Sequence, residues 1–354
     1  MLYVGTYSRR GSEGIYRLQF DADTGRLTRA GTLANLRNPS FQALHPSGRW
    51  LYSVCEEDAA GAVAAVALDD GRVLGHQSTI GAGPCHVAVD PSGRCVVSAN
   101  YGSGSVVVHP LAADGSLQPV SDLQQHAGSG PDESRQEGPH AHSVNFDPSG
   151  RFVIAADLGT DHLMVYALDL PGRGVGEADG DPAAGHLTPH EAVPVAPGAG
   201  PRHLTFHPSG QWAYLITELA NTIVAYRWQE GKLEELQTIA TLPEDFSGTS
   251  YCADIHIHPS GRFLYGTNRG HDSLAIFAVD SDTGLLEPRA HVPTGGEHPR
   301  NFALAADGRW LLCANQDSDN IVVFRLGGEG ATLERVGEAF SLPAPVCLLF
   351  SPEA

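Results

Sequence analysis

The segment Gly200-Pro201-Arg202-His203-Leu204-Thr205-Phe206-His207-Pro208-Ser209-Gly210-Gln211-Trp212-Ala213-Tyr214-Leu215-Ile216-Thr217-Glu218 decides the fold. Leu204 and Phe206 alternate with polar positions, Pro208-Ser209-Gly210 breaks the run, and residues 212–217 resume it. The pattern predicts a strand, a tight turn and a second strand. Relatives of this unit recur at residues 41–52, 86–97, 143–154, 254–265 and 301–312. They turn at Pro46, Pro91, Pro148, Pro208 and Pro259, with Ala306 replacing the proline once. A last copy runs from Val346 to Pro352. The six intervals from Pro46 to Pro352 average 51 residues, a period that signals a solenoid or a propeller.

The two ends of the chain separate these possibilities. The last copy holds a first strand without a second. Met1-Leu2-Tyr3-Val4-Gly5-Thr6-Tyr7 holds a second strand without a first, with Leu2-Tyr3 in the register of Leu51-Tyr52 and Leu264-Tyr265. An open solenoid needs polar caps at both ends, whereas two half-units sharing a blade close a ring. The expectation is an all-β, seven-bladed β-propeller of four-stranded antiparallel blades, one domain over residues 1–354, closed by N- and C-terminal strands in one blade. Third strands are expected at residues 104–110, 163–168, 222–228, 274–279 and 321–326. Gly-containing turns then lead to short outer strands. Insertions at residues 125–138 and 243–251 are expected to overhang the mouth where inner strands begin, and one at residues 172–185 to lie on the opposite, turn face.

Composition narrows the function. Lys and Arg number 22 against 41 Asp and Glu, a net charge of −19, which argues against nucleic acid or an anionic membrane surface as partner. Lys232, in the Gln229-Glu230-Gly231-Lys232 turn, is the one lysine, which argues against a Schiff-base mechanism. No apolar run reaches the ~20 residues of a membrane span, and no signal peptide is evident. The six cysteines form no Cys-x-x-Cys pair and are read as reduced core residues of a cytoplasmic protein. The oligomeric state is left open.

Equivalent positions of the repeat can be compared directly. Two and four residues before the landmark the chain is nearly all apolar, the packing face of the blades. One residue before it stand His45, Asp90, Asp147, His207 and His258, assigned to capping the turn. Six and five residues before it stand Ser40/Phe41, Cys85/His86, His142/Ser143, Arg202/His203, Ala253/Asp254, Arg300/Asn301 and Val346/Cys347. Ten residues after it stand Glu56, Tyr101, Leu158, Glu218, Arg269 and Gln316, with Tyr7 the seventh. Consecutive antiparallel strands bring these positions to one mouth, where imidazoles, guanidiniums and a carboxylate would converge. Gly-x-Ser-x-Gly, His-Glu-x-x-His and the phosphate-binding Gly-x-x-x-x-Gly-Lys are absent. A metal on His140-Ala141-His142 would require a third donor such as His86 or His203. The reading adopted has no metal and no cofactor: a histidine and a glutamate exchange protons, and arginines hold an anion or a developing oxyanion.

These residues carry a resemblance that spans the chain. Tyr3-Val4-Gly5-Thr6-Tyr7, Gly138-Pro139-His140-Ala141-His142-Ser143, Gly200-Pro201-Arg202-His203, Ile255-His256-Ile257-His258-Pro259, Asn268-Arg269-Gly270-His271-Asp272-Ser273 and Pro299-Arg300-Asn301-Phe302 together resemble the seven-bladed β-propeller lactonase (cycloisomerase 2) family. The resemblance implies hydrolysis of 6-phospho-glucono-1,5-lactone to 6-phosphogluconate in the pentose phosphate pathway, with a small anionic sugar lactone as partner. The family also includes a fungal carboxymuconate-lactonising enzyme that works without a metal, with a histidine, a glutamate and two arginines as its proposed site. By resemblance the catalytic set here is His142, Glu218, Arg202 and Arg269, with His140 the competing choice of histidine. His86, His140, His203, Arg300 and Asn301 are the expected substrate-binding residues. Two other readings stand: a cycloisomerase or a lactonase for another sugar acid, and a non-catalytic propeller scaffold for a protein partner, which would display an exposed apolar patch.

Overall fold

The computed structural model describes residues 1–170 and 185–351. The described strands form seven antiparallel sheets of four strands each, the seven-bladed β-propeller that the repeat predicts. The insertion expected at residues 172–185 lies, apart from Gly185, outside the described residues, as does the last landmark, Pro352.

The chain clusters into two compact units, Met1–Asn35 with Arg202–Ala354, and Leu36–Pro201. The first carries four blades. One takes its inner strand, Pro345–Phe350, from the C-terminal end and the next three, Leu2–Thr6, Ile15–Phe20 and Leu27–Ala34, from the N-terminal end. Leu2 faces Phe350 and Val4 faces Leu348 across that junction, as the two half-units require. The other three blades run in sequence: Pro201–Phe206, Trp212–Thr217, Thr222–Gln229 and Lys232–Ala240; Tyr251–Ile257, Phe263–Arg269, Ser273–Val279 and Leu286–Pro293; and Pro299–Leu304, Trp310–Asn315, Asn320–Gly327 and Thr332–Ser341. The second unit carries three. They are Gln42–Leu44, Trp50–Cys55, Ala62–Ala67 and Val73–Ser78; Pro84–Val89, Cys95–Asn100, Ser105–Pro110 and Asp122–Gln125; and Ala141–Phe146, Phe152–Asp157, His162–Asp169 and His186–Pro194.

Second strands such as Trp212–Thr217 and Trp310–Asn315 are buried at every residue, because both faces of a blade pack on neighbours. Within the four-blade unit, Tyr214, Ile216 and Ile223 pack with Ile255, Leu264 and Phe277 in one inter-blade core, and Tyr265, Phe302, Leu311 and Phe324 in the next. The outer strands are not all short. Thr332–Ser341 has ten residues and Lys232–Ala240 nine, pairing along the whole third strand, with a register shift between Ala225 and Tyr226 that takes up the twist.

Blade-to-blade contacts repeat with the sequence. His207 accepts the Ser209 backbone N–H at Nδ1 (3.0 Å) and reaches the Gly261 carbonyl of the next turn with Nε2 (3.1 Å). His258 does the same with Ser260 and Gly308, and His45 with Ser47 and Gly93. The turn histidines are thus structural, as expected. Tyr214, Tyr265 and Tyr52 donate their hydroxyls to the carbonyls of Gly284, Gly330 and Gly115 in the following blade. Residues 125–138 fold down: the amide of Gln136, wholly buried, donates to the Leu158 carbonyl at 2.8 Å.

Candidate functional site

The residues at the starts of inner strands are presented by broken pairing. Register shifts fall between Pro84 and His86, between Ala141 and Ser143, between Cys252 and Ile255, and between Pro299 and Asn301. Cys85, His142, Ala253 with Asp254, and Arg300 are therefore the unpaired residues of bulges. A bulge bends the strand and re-aims its side chains and carbonyls, so each blade can present a group that a regular ladder would hold in place.

In the four-blade unit these groups meet in one buried network. Arg202 is 1% exposed, and a charge so far from water must be paired. Its Nε donates to Glu218 Oε2 at 3.0 Å, and one terminal nitrogen donates both to the Ala253 carbonyl (2.6 Å) and to His203 Nε2 (3.1 Å). Arg269 reaches the same Glu218 oxygen at 2.8 Å and donates to the Cys252 carbonyl at 2.7 Å. Glu218 follows the strand Trp212–Thr217 and Arg269 ends Phe263–Arg269, so two adjacent blades deliver one carboxylate to two guanidiniums.

The tautomer of His203 follows from its neighbours. A guanidinium only donates, so Nε2 of His203 must accept from Arg202. Its proton then sits on Nδ1 and points at Asp254 Oδ1, 2.8 Å away. Burial first, and the Arg202 charge second, lower the His203 pKa to about 4, against the pull of Asp254. Burial, with Arg269 and Arg300 adding repulsion, likewise lowers Arg202 to about 10. Asp254 is the hub on the far side. Its Oδ2 receives Asn301 Nδ2 (2.6 Å) and the Phe302 backbone N–H (3.2 Å), and lies 2.9 Å from His256 Nε2. Burial opposes its ionisation, but the two imidazoles prevail and hold it well below the usual carboxylate range. Asn301 in turn accepts the Leu348 backbone N–H at 2.7 Å. Arg202, Glu218, Arg269, His203 and Asn301, all expected from the sequence, are thus members of one network.

Of the remaining expected residues, Arg300 lies in the four-blade unit, its guanidinium 5.3 Å from the Tyr7 ring centroid, and His86, His140 and His142 lie in the three-blade unit. His142 packs its ring edge on Tyr101, centroids 5.4 Å apart, while His140 stacks on the same tyrosine at 4.4 Å and bonds the Tyr101 carbonyl through Nδ1 at 2.9 Å. His86 stacks on Phe41 at 4.0 Å and accepts the Val144 backbone N–H. Cys85 Sγ donates to the His142 carbonyl at 3.2 Å and lies 3.9 Å from its Nδ1. Below them Asp157 accepts the backbone N–H groups of His140, Gly159 and Thr160 and pairs at 2.5 Å with His126, whose Nε2 meets the Tyr166 hydroxyl at 2.8 Å. Among the described residues, no group of three or more His, Cys, Asp or Glu side chains is gathered to hold a metal ion.

Sequence reading missed His256 and placed Asp254 in the ring without making it a hub. His256 is the network member most open to solvent, its side chain 42% exposed against 3% for Asp254. Burial works against its charge, yet the Asp254 carboxylate and its hydrogen bond raise its pKa above the ordinary histidine value. The signal was available: strand alternation sends His256 to the face opposite Ile255 and Ile257, where the equivalent residues of neighbouring blades are Thr205 and Ala303.

Residues 1–350 match the model of the family described as Lactonase, 7-bladed beta-propeller. The chain is 40% identical over 355 residues to the 6-phosphogluconolactonase of Bacillus subtilis (strain 168), covering 98% of this chain and 97% of that one. A crystal structure from Bacteroides fragilis, provisionally assigned as a 6-phosphogluconolactonase, is 37% identical over 98% of this chain and 96% of that one, with a TM-score of 0.90. The periplasmic gluconolactonase PpgL of Pseudomonas aeruginosa is 33% identical over 99% and 98%, with a TM-score of 0.88.

Proposed function

Because the chain belongs to the seven-bladed β-propeller lactonase family, we propose that it is a lactone hydrolase acting on 6-phospho-glucono-1,5-lactone and yielding 6-phosphogluconate. The observation that carries this reading is the buried pair of guanidiniums, Arg202 and Arg269, joined through one oxygen of Glu218. Hydrolysis of a lactone adds water to the C1 carbonyl, places negative charge on the carbonyl oxygen, and then breaks the bond from C1 to the ring oxygen, which takes up a proton. Fixed donors in a dry site are suited to that developing charge, and removing one such donor costs about 10²–10³ in kcat in well-studied acyl-transfer sites.

On this reading Arg202 and Arg269 polarise the carbonyl. Glu218 holds the two guanidiniums together and offers a carboxylate for proton transfer. His142 is the proposed catalytic imidazole, with His140, His86, His203, Arg300 and Asn301 in binding and positioning roles. The network around Arg202 supports a positioning role for His203, since both its ring nitrogens already serve Arg202 and Asp254. On the same reading the protein works in the cytoplasm, where phosphorylated sugars are retained.

Glu218→Gln tests the assignment. It keeps the shape but removes the charge that joins the arginines. The expected result is a loss of at least about 10²-fold in kcat for 6-phosphogluconolactone, with an unaltered β-sheet circular dichroism spectrum. Near-normal turnover would remove Glu218 from the mechanism.

A further inference from the structure

Arginines crowd one end of the four-blade unit of a chain whose net charge is −19. Arg202 and Arg269 share the single carboxylate of Glu218, which leaves the trio with one net positive charge. Burial first, and then repulsion from Arg269 and Arg300 at Arg202 and from Arg300 at Arg269, holds both pKa values below the arginine norm. The Arg300 guanidinium lies 5.3 Å from the centroid of the Tyr7 ring. The guanidinium of Arg9 lies 5.3 Å from the same centroid, so one ring carries two cations.

The surrounding loop holds this arrangement. Arg10, in the left-handed region at φ 54°, donates to the carbonyls of Gln316 (3.2 Å) and Asp317 (2.9 Å) and to Asp319 Oδ1 (3.0 Å), fixing the segment after the strand Leu2–Thr6. Arg9 touches Asp317 Oδ1 at 3.3 Å, with its side chain 47% exposed. His298, half-buried on the same side, reports the local field. Its pKa is pushed down to about 4 by burial and then by Arg269, Arg300 and Arg202, although Asp317 pulls the other way. A further proton is therefore disfavoured there, and the charge that would relieve the mutual repulsion is negative.

We propose that Arg300 and Arg9, carried on the Tyr7 ring, form a recognition subsite for the phosphomonoester end of the substrate. The planar fork of a guanidinium binds two oxygens of a phosphate at once, and two forks flanking one ring can grip a dianion that a neutral hydroxymethyl group would not engage. The assignment rests on the lactonase reading, in which Arg202 and Arg269 hold the other end of the molecule. It also separates the two chemistries named among the relatives, since a gluconolactone lacks the phosphate that this subsite would select.

The test compares 6-phosphogluconolactone with glucono-1,5-lactone on wild type, Arg9→Ala and Arg300→Ala, and titrates each protein with 6-phosphogluconate by calorimetry. The expected result is a fall of at least about tenfold in the ratio of kcat/KM values, phosphorylated over unphosphorylated, in both variants, with a matching loss in 6-phosphogluconate affinity. Arg9→Lys, which keeps the charge but not the fork, is expected between the two. A ratio within about twofold of wild type in both variants would overturn the subsite. If wild type hydrolyses neither lactone, the lactonase reading fails and the titration alone decides. Binding weakened by Arg9→Ala then sustains the subsite, and absence of binding to wild type overturns it.

Discussion

At the scale of single residues, the site is a problem of where protons can sit. His203 is fixed as the Nδ1-protonated neutral tautomer between a donor and a carboxylate, and His109, wholly buried with Nδ1 3.3 Å from the Gln118 carbonyl, is likewise held neutral by burial. Both have pKa values lowered to about 4. A histidine whose folded pKa is depressed contributes no penalty above its unfolded value near 6.5. As pH falls from 6.5 toward 4, the unfolded chain takes up protons that the folded chain refuses, and stability is lost. His256 runs the opposite way: its raised pKa adds stability at low pH that fades as pH rises through it. Counting His298, also near 4, and His207 and His271, both lowered by burial, five depressed histidines against one raised predict a net loss of at least about 2 kcal/mol between pH 7 and pH 5. Urea unfolding at the two pH values measures it, and an equal or higher midpoint at pH 5 would contradict this balance. The sequence showed the residue types of the site well, because Arg202, His203, Asp254, Arg269 and Asn301 hold equivalent positions of a repeat. It could not show that Asp254 receives His203, His256 and Asn301 at once, because the bulge that turns Asp254 leaves no mark in the hydrophobic pattern.

At the scale of strands and turns, the repeat is held by contacts spaced as the sequence is. Trp212 lies against Gly284 of the next blade's hairpin, Trp310 against Gly25, and Trp50 against Gly115. Each of these glycines has a positive φ, 73°, 74° and 84° respectively. Side chains are excluded there twice over, by backbone conformation and by the indole. A Cβ at Gly284 would stand 2.5 Å from the Trp212 ring, whereas one at Gly138 would meet nothing within 4 Å. Gly284→Ala is therefore expected to destabilise the protein by about 2–4 kcal/mol and Gly138→Ala by less than about 0.5 kcal/mol. Thermal melts of the two variants side by side check this, and equal melting temperatures would contradict it. The turns were legible as Pro-Ser-Gly and Gly-containing signatures. The length of the outer strands was not, because strands such as Lys232–Ala240 expose most of one face and read in sequence like polar loop.

At the scale of the whole molecule, the period of the sequence and the family match agree on a seven-bladed propeller. The fold was legible because one packing solution is used repeatedly, so each copy of the pattern supports the others. The proposed phosphate subsite was less so, because Tyr7 and Arg9 have neighbours, Arg300 and Asp317, some 300 positions away in the chain. A net charge of −19 repels anionic ligands at long range, so a phosphorylated substrate would depend on the local arginines to be held at all. The most direct measurement is the initial rate of hydrolysis of freshly generated 6-phosphogluconolactone by the wild-type protein, followed through formation of 6-phosphogluconate, with and without EDTA. The account predicts a rate well above spontaneous hydrolysis that EDTA leaves in place. A rate equal to the spontaneous one would contradict the proposed activity, and a rate abolished by EDTA would contradict the arginine-based chemistry assigned to it.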